Sequence, residues 1–217
     1  MNVKLIAITQ PMIPGIKTAE ELIAYCARVS APSNQMNTET APKLLRYCIK
    51  NQHWSPFEMV NIVMEINTTR DIGRQILRHR SFSFQEMSQR YADPTKEMGF
   101  TTREARLQDT KNRQNSIETD DDQLQQAWTM KQQQIIHEST LAYKWAIDNG
   151  IAKEQARAVL PEGCAQSRIY MNGTLRSWVH YSQLRITEGT QREHREIAKE
   201  CWNILETQFS FLKETNQ

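Results

Sequence analysis

Apolar and polar residues alternate cleanly over residues 59–67, with valine, isoleucine and methionine at every second position. A period of two is typical of a half-buried strand. A second, shorter strand is predicted over residues 3–9, where Pro11 ends it. We expect an antiparallel sheet that contains these two strands and others that the pattern does not place. Several helices should flank the sheet, which predicts an α+β fold.

Helical periodicity covers much of the remaining chain. Thr18 followed by Glu21 forms a capping box, which predicts a helix from there to about residue 29. Further helices are predicted over residues 41–50, 71–80, 123–149, 151–160, 174–186 and 191–213. The helix 123–149 is long and rich in glutamine, and its periodic apolar positions are Trp128, Ile135, Ala142 and Trp145.

The periodicity stops in a long polar excursion at about residues 94–122, which contains proline, glycine and a run of acidic residues. A connection of this length is either functional or mobile. A substrate-access segment and plain disorder both remain open. The chain of 217 residues has the size of one domain. We therefore treat residues 1–217 as a single domain.

Composition narrows the class of protein. The net charge is +2, whereas a general nucleic-acid binder usually carries a larger positive excess. There is no apolar run of the length that a membrane span needs, and no secretory leader. The four cysteines are widely spaced, which is typical of a reduced compartment. We expect a cytoplasmic protein, or one of the host cytoplasm if the chain is viral.

Histidine and glycine spacing excludes several kinds of site. The five histidines form no pair at metal-ligand spacing, so no metal site is expected. The seven glycines are isolated, which excludes a P-loop and a dinucleotide-binding glycine turn. A flavin or nicotinamide would therefore have to be held by side chains.

Arginine is concentrated between residues 70 and 90, at positions 70, 74, 78, 80 and 90, and aromatic residues at 82, 84 and 91 are interleaved with it. On a continuous helix over residues 71–80, Arg80 would fall within the apolar arc. A buried guanidinium needs an anion or many acceptors, and a bound phosphate is the simplest partner. The alternative is a solvated face on which Arg80 snorkels.

This segment resembles the signature of the flavin-dependent thymidylate synthases. The resemblance lies in Arg78-His79-Arg80, seven further residues, and then Ser88-Gln89-Arg90-Tyr91. The linker at residues 53–58 and the string Glu-x-Ala-Arg-x-x-Leu-Pro at residues 154–161 are also similar to the family. Together the matches cover most of residues 20–200. The resemblance implies a homotetramer whose flavin sites are built by more than one subunit.

The resemblance also implies site residues. Those expected to bind FAD are Ser55, Glu58, Arg78, His79, Arg80, Glu86, Thr174, Leu175, Arg176 and His180. Those expected to bind dUMP are Gln75, Arg78, Glu86, Ser88, Gln89, Arg90, Arg157 and Arg185. His53 is a further candidate for contact with the flavin or the folate. Several relatives carry asparagine at the positions of Thr174 and His180, where this chain departs from the pattern.

The implied activity converts dUMP to dTMP, with methylenetetrahydrofolate as one-carbon donor and with FAD, reduced by NADPH, as hydride carrier. Carbon C5 of uracil is a poor nucleophile, so the ring must be activated. A cysteine adding to C6 is one route, but no cysteine here has a basic neighbour in the sequence. The other route is a fixed cation that stabilises charge as the N3 proton leaves. The resemblance implies that Arg185 is this catalytic residue, and we expect Ser88 only to donate hydrogen bonds.

Two rival functions remain open. A non-catalytic nucleotide- or RNA-binding module would use the arginines with Phe82, Phe84 and Tyr91 as a stacking platform. A cysteine-type methylase would act on dUMP without a flavin. Flavin colour in the purified protein discriminates against the first rival, and substitution of each cysteine tests the second.

Overall fold

The computed structural model describes residues 1–213. The helices are α1 (Ala19–Ala27), α2 (Ala41–Lys50), α3 (Arg70–Ile76), α4 (Pro94–Glu97), α5 (Asp122–Asp148), α6 (Lys153–Ala156), α7 (Leu175–Arg185) and α8 (Arg192–Gln208). The strands are β1 (Asn2–Ile8), β2 (Asn61–Thr69), β3 (Ser83–Glu86), β4 (Arg106–Gln108), β5 (Ser116–Glu118) and β6 (Gln166–Thr174). The capping box predicted at the start of α1 is present, because Thr18 Oγ1 accepts from the Glu21 amide at 3.1 Å and Glu21 accepts from the Thr18 amide.

The main sheet has the strand order β1-β2-β6-β3, and each neighbouring pair is antiparallel. The predicted antiparallel α+β fold is therefore confirmed, with β1 and β2 close to their expected positions. The patterns predicted neither β6 nor β3. Alternation does mark β6, since Ile169 and Met171 are buried and their neighbours Arg168 and Tyr170 are not.

One face of the sheet forms the core. Met64 pairs with Met171 and Ile66 with Ile169, and all four side chains are fully buried. Helix α7 packs on this face through Trp178, whose indole N–H donates to the carbonyl oxygen of Ile62 at 3.0 Å. This contact helps to position the helix that carries Arg185, because it satisfies the buried indole donor of Trp178.

Three predicted helices are shorter than expected. The helix predicted over residues 71–80 ends at Ile76, so the prediction that Arg80 lies on an apolar helical arc is wrong, and Arg80 is exposed. The chain turns here so that Phe82 can pack on Trp178, at 4.9 Å between ring centroids, and against Gly173. The segment 151–160 splits into α6 and a 3₁₀ turn, and α8 ends at Gln208 rather than at 213.

The excursion at residues 94–122 contains secondary structure that the sequence did not predict. It holds α4 and a hairpin of β4 and β5. Arg192 ties the hairpin to α8, since its Nη1 lies 2.6 Å from Glu104 and 2.7 Å from Glu118. Arg106 and Glu193 form a second, buried ion pair between the same two elements. Ion pairs thus compensate for the scarcity of apolar residues in the hairpin.

Helix α5 turns its apolar stripe toward solvent. Trp128, Ile135 and Trp145 are 43%, 53% and 63% exposed, respectively. The positions that it buries are Gln132, Ser139, Tyr143 and Ala146. No helix within residues 1–213 is both long enough and apolar enough to cross a membrane.

Candidate active site

Arg185 lies at the end of α7, where its charge complements the negative end of the helix dipole. Its Nε donates to Nε2 of His79 at 2.9 Å. Because a guanidinium can only donate, His79 must accept at Nε2 and carry its proton on Nδ1. Burial, followed by the charges of Arg185 and Arg78, lowers the pKa of His79 to about 4. A neutral histidine therefore holds the arginine without neutralising its charge.

Gln75 lies beside this pair on α3 and bonds to α8. Its Nε2 donates to Oε1 of Gln191 at 2.7 Å, and its Oε1 lies 3.3 Å from Nδ1 of His194. Tyr181 packs edge-on against His79 at 4.8 Å between ring centroids. The tertiary structure therefore brings α3, α7 and the start of α8 together around Arg185.

A second group lies on another face of α3, around Glu86 at the end of β3. Glu86 accepts from Ser167 at 3.0 Å and pairs with Arg70 at 3.3 Å and with Arg74 at 3.5 Å. A cavity of about 370 Å³ adjoins it, which we call the arginine cavity. Its polar lining consists of Arg70, Arg74, Gln89, Arg157 and Glu162.

Gln89 indicates what the arginine cavity is built to hold. The residue is 4% exposed, and its Nε2 has no hydrogen-bond partner within residues 1–213. A buried donor without an acceptor is costly, so an acceptor from outside is expected. Within residues 1–213, three arginines and one carboxylate, Glu162, line the same space. An anionic ligand with several oxygen atoms matches these donors.

The residues implied for flavin contact come from three distant segments. Arg176 donates to Glu58 at 2.6 Å, and His180 packs edge-on against Trp54 at 4.4 Å. Ser177 on the same helix donates to the carbonyl oxygen of Ser81 at 3.4 Å. Ser55 lies exposed in the turn that carries Glu58, and Thr174 caps α7. The segments 55–58, 78–81 and 174–180 are therefore neighbours in space.

The remaining implied residues lie around these groups. Arg78 and Arg80 are exposed and make no ion pair within residues 1–213. Arg90 is exposed and lies 3.6 Å from Glu154, and its amide donates to Ser88 Oγ at 3.3 Å. The side chain of Leu175 belongs to the core, so only its main chain is available to a ligand.

Sequence reasoning missed several residues of this region. Arg70 and Arg74 were part of the arginine cluster but not of the implied nucleotide set, although their spacing of four residues would place them on one helical face. Glu162, Tyr181, Gln191 and His194 were also missed. No local signal marks His194, because its partner Gln75 is 119 positions away.

The surroundings of the four cysteines do not favour a nucleophilic role. Burial raises the pKa of the thiols of Cys26, Cys48, Cys164 and Cys201, which disfavours the nucleophilic thiolate.

Phe82 is buried against Trp178, so the proposed stacking platform of Phe82, Phe84 and Tyr91 does not form on the surface. Among residues 1–213, no histidine, cysteine and carboxylate cluster suited to a metal ion occurs.

Taken together, these features define an antiparallel α+β protein whose donor-rich side chains around α3 and α7 are suited to binding an anionic ligand. A family profile described as "Thymidylate synthase complementing protein" matches residues 11–209. The chain therefore belongs to the flavin-dependent thymidylate synthase family, as its sequence motifs predicted.

Two relatives agree with this assignment, and a solved structure shares the fold. The "Probable flavin-dependent thymidylate synthase" of Paramecium bursaria Chlorella virus 1 is 48% identical over 209 residues, which cover 96% of this chain and 95% of the relative. The flavin-dependent thymidylate synthase of Synechocystis sp. is 46% identical over 212 residues, 96% of each chain. The crystal structure of the UMP/dUMP methylase PolB from Streptomyces cacaoi bound with 5-Br dUMP has the same fold, with a TM-score of 0.81, 24% identity and coverage of 98% and 93%.

Proposed function

We propose that this protein is a thymidylate synthase that converts dUMP to dTMP, with methylenetetrahydrofolate as one-carbon donor and with FAD, reduced by NADPH, as hydride carrier. The observation that carries the proposal is the pair of Arg185 and neutral His79, joined at 2.9 Å. It supplies a fixed cation in a half-buried position, which is what activation of a uracil ring without a thiol requires.

Arg185 would stabilise the negative charge that spreads over the uracil ring as the N3 proton is lost. The guanidinium suits this role because it stays protonated and presents a planar set of donors. His79 orients the guanidinium of Arg185 by accepting a hydrogen bond from its Nε. The charge of Arg185 stays uncompensated, since the neutral imidazole is only a hydrogen-bond acceptor here. The raised pKa values of the four thiols favour this route over attack by cysteine.

The arginine cavity would receive an anionic part of dUMP. Arg157 and the unpartnered Nε2 of Gln89 are its available donors, while Arg70 and Arg74 are already shared with carboxylates. Ser88 and Arg90 adjoin Gln89 in sequence and would add donors to the phosphate. Gln75, Arg78 and Glu86 would complete the nucleotide contacts.

The residues present fit a flavin nucleotide. Arg78 and Arg80 are exposed cations without ion pairs in the described chain, suited to its phosphates. The remainder of the flavin would be held by seven side chains and by the main chain of Leu175. These side chains are Ser55, Glu58, His79, Glu86, Thr174, Arg176 and His180. Bound flavin supplies the hydride that completes the methyl group.

We also propose a homotetramer, in which α5 covers its exposed stripe with a second copy of the chain. Trp128, Ile135 and Ala142 recur every seven residues, the spacing of a helix-to-helix seam. A surface stripe of this kind is stabilised by burial against an equivalent stripe. Trp145→Glu should dissociate the assembly in light scattering and lower its flavin content, whereas Lys43→Glu on the exposed face of α2 should change neither. A wild-type monomer that retains a full complement of flavin would contradict shared sites.

The direct test is spectroscopic and chemical. The purified protein should show the flavin absorbance band and form dTMP from dUMP when methylenetetrahydrofolate and NADPH are supplied. It should also restore growth of a thymidine-requiring strain. A colourless protein that is indifferent to added FAD would overturn the proposal and favour a nucleotide-binding module.

A further inference from the structure

A line of hydrogen bonds runs from the core to the hairpin through the proposed nucleotide site. It joins Tyr181, His194, Gln75, Gln191 and Glu193, and we call it the polar chain. The successive distances are 3.1 Å from Tyr181 Oη to His194 Nε2, 3.3 Å from His194 Nδ1 to Gln75 Oε1, 2.7 Å from Gln75 to Gln191 and 2.9 Å from Gln191 to Glu193. Glu193 ends it and is paired with Arg106 of β4.

The carboxylate at the end of the polar chain determines the direction of every bond in it. Glu193 Oε2 can only accept, so Gln191 must donate from Nε2 and turn Oε1 toward Gln75. Gln75 must then donate from Nε2, and its Oε1 must accept from His194. His194 is thereby required to carry its proton on Nδ1 and to accept from Tyr181 at Nε2.

The groups around His194 support this assignment. The residue is fully buried, and its pKa is lowered to about 3, first by burial and then by the charge of Arg185. Burial holds the pKa of the Tyr181 hydroxyl well above its ordinary value, so it remains a donor. A neutral imidazole between a phenol donor and an amide acceptor satisfies all of these groups.

We propose that His194 is a positioning residue that holds the carboxamide of Gln75 in the orientation set by Glu193 and Gln191, so that Gln75 turns its second Nε2 hydrogen, a donor, toward the bound nucleotide. The ligand group that meets this hydrogen is an acceptor, such as a carbonyl or a phosphate oxygen. The inference rests on the proposed function for the assignment of Gln75 to the dUMP site. The tautomer of His194 does not depend on that assignment.

The tautomer is tested in the unliganded protein by ¹⁵N NMR of histidine-labelled chain, with His194 identified through its variants. The expected spectrum shows a neutral ring protonated at Nδ1 that stays neutral at pH 5. A ring protonated at Nε2, or one that becomes doubly protonated at that pH, would overturn the proposal. This readout holds whether or not the protein methylates dUMP.

Two carboxamide variants separate positioning from simple packing. An asparagine at position 194 would place its amide nitrogen near the position of Nδ1 of the histidine it replaces. A glutamine there would place its amide nitrogen near the position of Nε2. H194N should therefore keep the donor to Gln75, whereas H194Q should keep only the contact with Tyr181. In the flavin-loaded protein, dUMP titration should show Kd raised roughly tenfold for H194Q, the effect of one lost neutral hydrogen bond, and H194N should recover most of that loss.

The outcomes are distinct. A merely structural role would favour H194Q, because the longer side chain fills the buried space better, and equal or tighter dUMP binding by H194Q than by H194N would overturn the proposal. Tyr181→Phe, which removes only a hydroxyl, should weaken dUMP binding less than H194Q does. If the wild-type protein binds no dUMP at all, the proposed function fails, and the NMR result alone decides the orientation of the polar chain.

Discussion

The surroundings of Arg185 and the arginine cavity are both cationic, but they differ in how their polar groups are satisfied. Around Arg185, the guanidinium and the carboxamide of Gln75 are each held by hydrogen bonds within the chain, through His79 and the polar chain. In the arginine cavity, Gln89 keeps a buried donor without an acceptor among residues 1–213, and Arg157 has no carboxylate partner there.

The difference separates two tasks. A group that must act on a developing charge is best held rigid before the substrate arrives, since reorientation would cost free energy during the reaction. A group that must bind an anion instead keeps its donors free until the ligand supplies the acceptors. We infer that the first region serves chemistry and the second serves affinity, and the following substitutions should separate the two.

The largest effect is expected for Arg185→Ala. Removing the fixed cation should lower kcat by roughly 10²–10³-fold, as for other groups that stabilise transition-state charge. Flavin content should stay near that of the wild type, because the helix is anchored by Trp178 rather than by Arg185. Steady-state dTMP formation measures kcat, and flavin absorbance measures the flavin content. A variant with near-normal kcat would remove Arg185 from the chemistry.

Arg157→Ala should act mainly on KM for dUMP. One charged hydrogen bond contributes about 1.5–3 kcal/mol, so KM should rise roughly 10–100-fold while kcat changes little. Lys43→Ala, on an exposed face of α2, is the matched loss of charge and should leave both constants unchanged. A fall in kcat without a change in KM would reverse the division proposed between the two regions.

Acid should destabilise the folded protein through two histidines near Arg185. The pKa values of His79 and His194 are lowered from 6.5 to about 4 and about 3. Below pH 6.5 the unfolded chain therefore binds protons that the folded chain excludes, and stability is lost as the pH falls. Urea unfolding at pH 5 should give a free energy of unfolding lower than at pH 7 by on the order of 2 kcal/mol for each histidine. The H194Q variant lacks one titrating group, so its free energy of unfolding should depend less steeply on pH. An equally steep dependence in H194Q would contradict the contribution assigned to His194.

The smallest effect on activity is expected for the cysteines. Alanine at position 26, 48, 164 or 201 should leave dTMP formation close to normal, because no thiolate is required. Cys201→Ala should cost about 1 kcal/mol of stability, since the side chain is fully buried. Loss of activity with flavin still bound, in any one of the four, would reopen the cysteine route.

Individual elements show how far sequence reasoning extends. Clean alternation predicted β2, and the capping box predicted the start of α1, since both depend on nearby residues. Helix α3 was predicted too long because the turn after Ile76 is imposed by the packing of Phe82 on Trp178, 96 positions away. The stripe on α5 was recognised, but its exposure to solvent could not be predicted, since periodicity does not specify which surface covers it.

The family, the fold class and the candidate residues follow from the amino-acid sequence alone, because signature strings and local periodicity are readable without distances. The pairing of Arg185 with His79, the unpartnered donor of Gln89 and the link from Tyr181 through His194 to Gln75 became visible only in the folded chain. The physical reason is that tautomers, pKa values and hydrogen-bond directions depend on contacts between segments far apart in the chain. Such contacts exist only once the sheet and helices have packed.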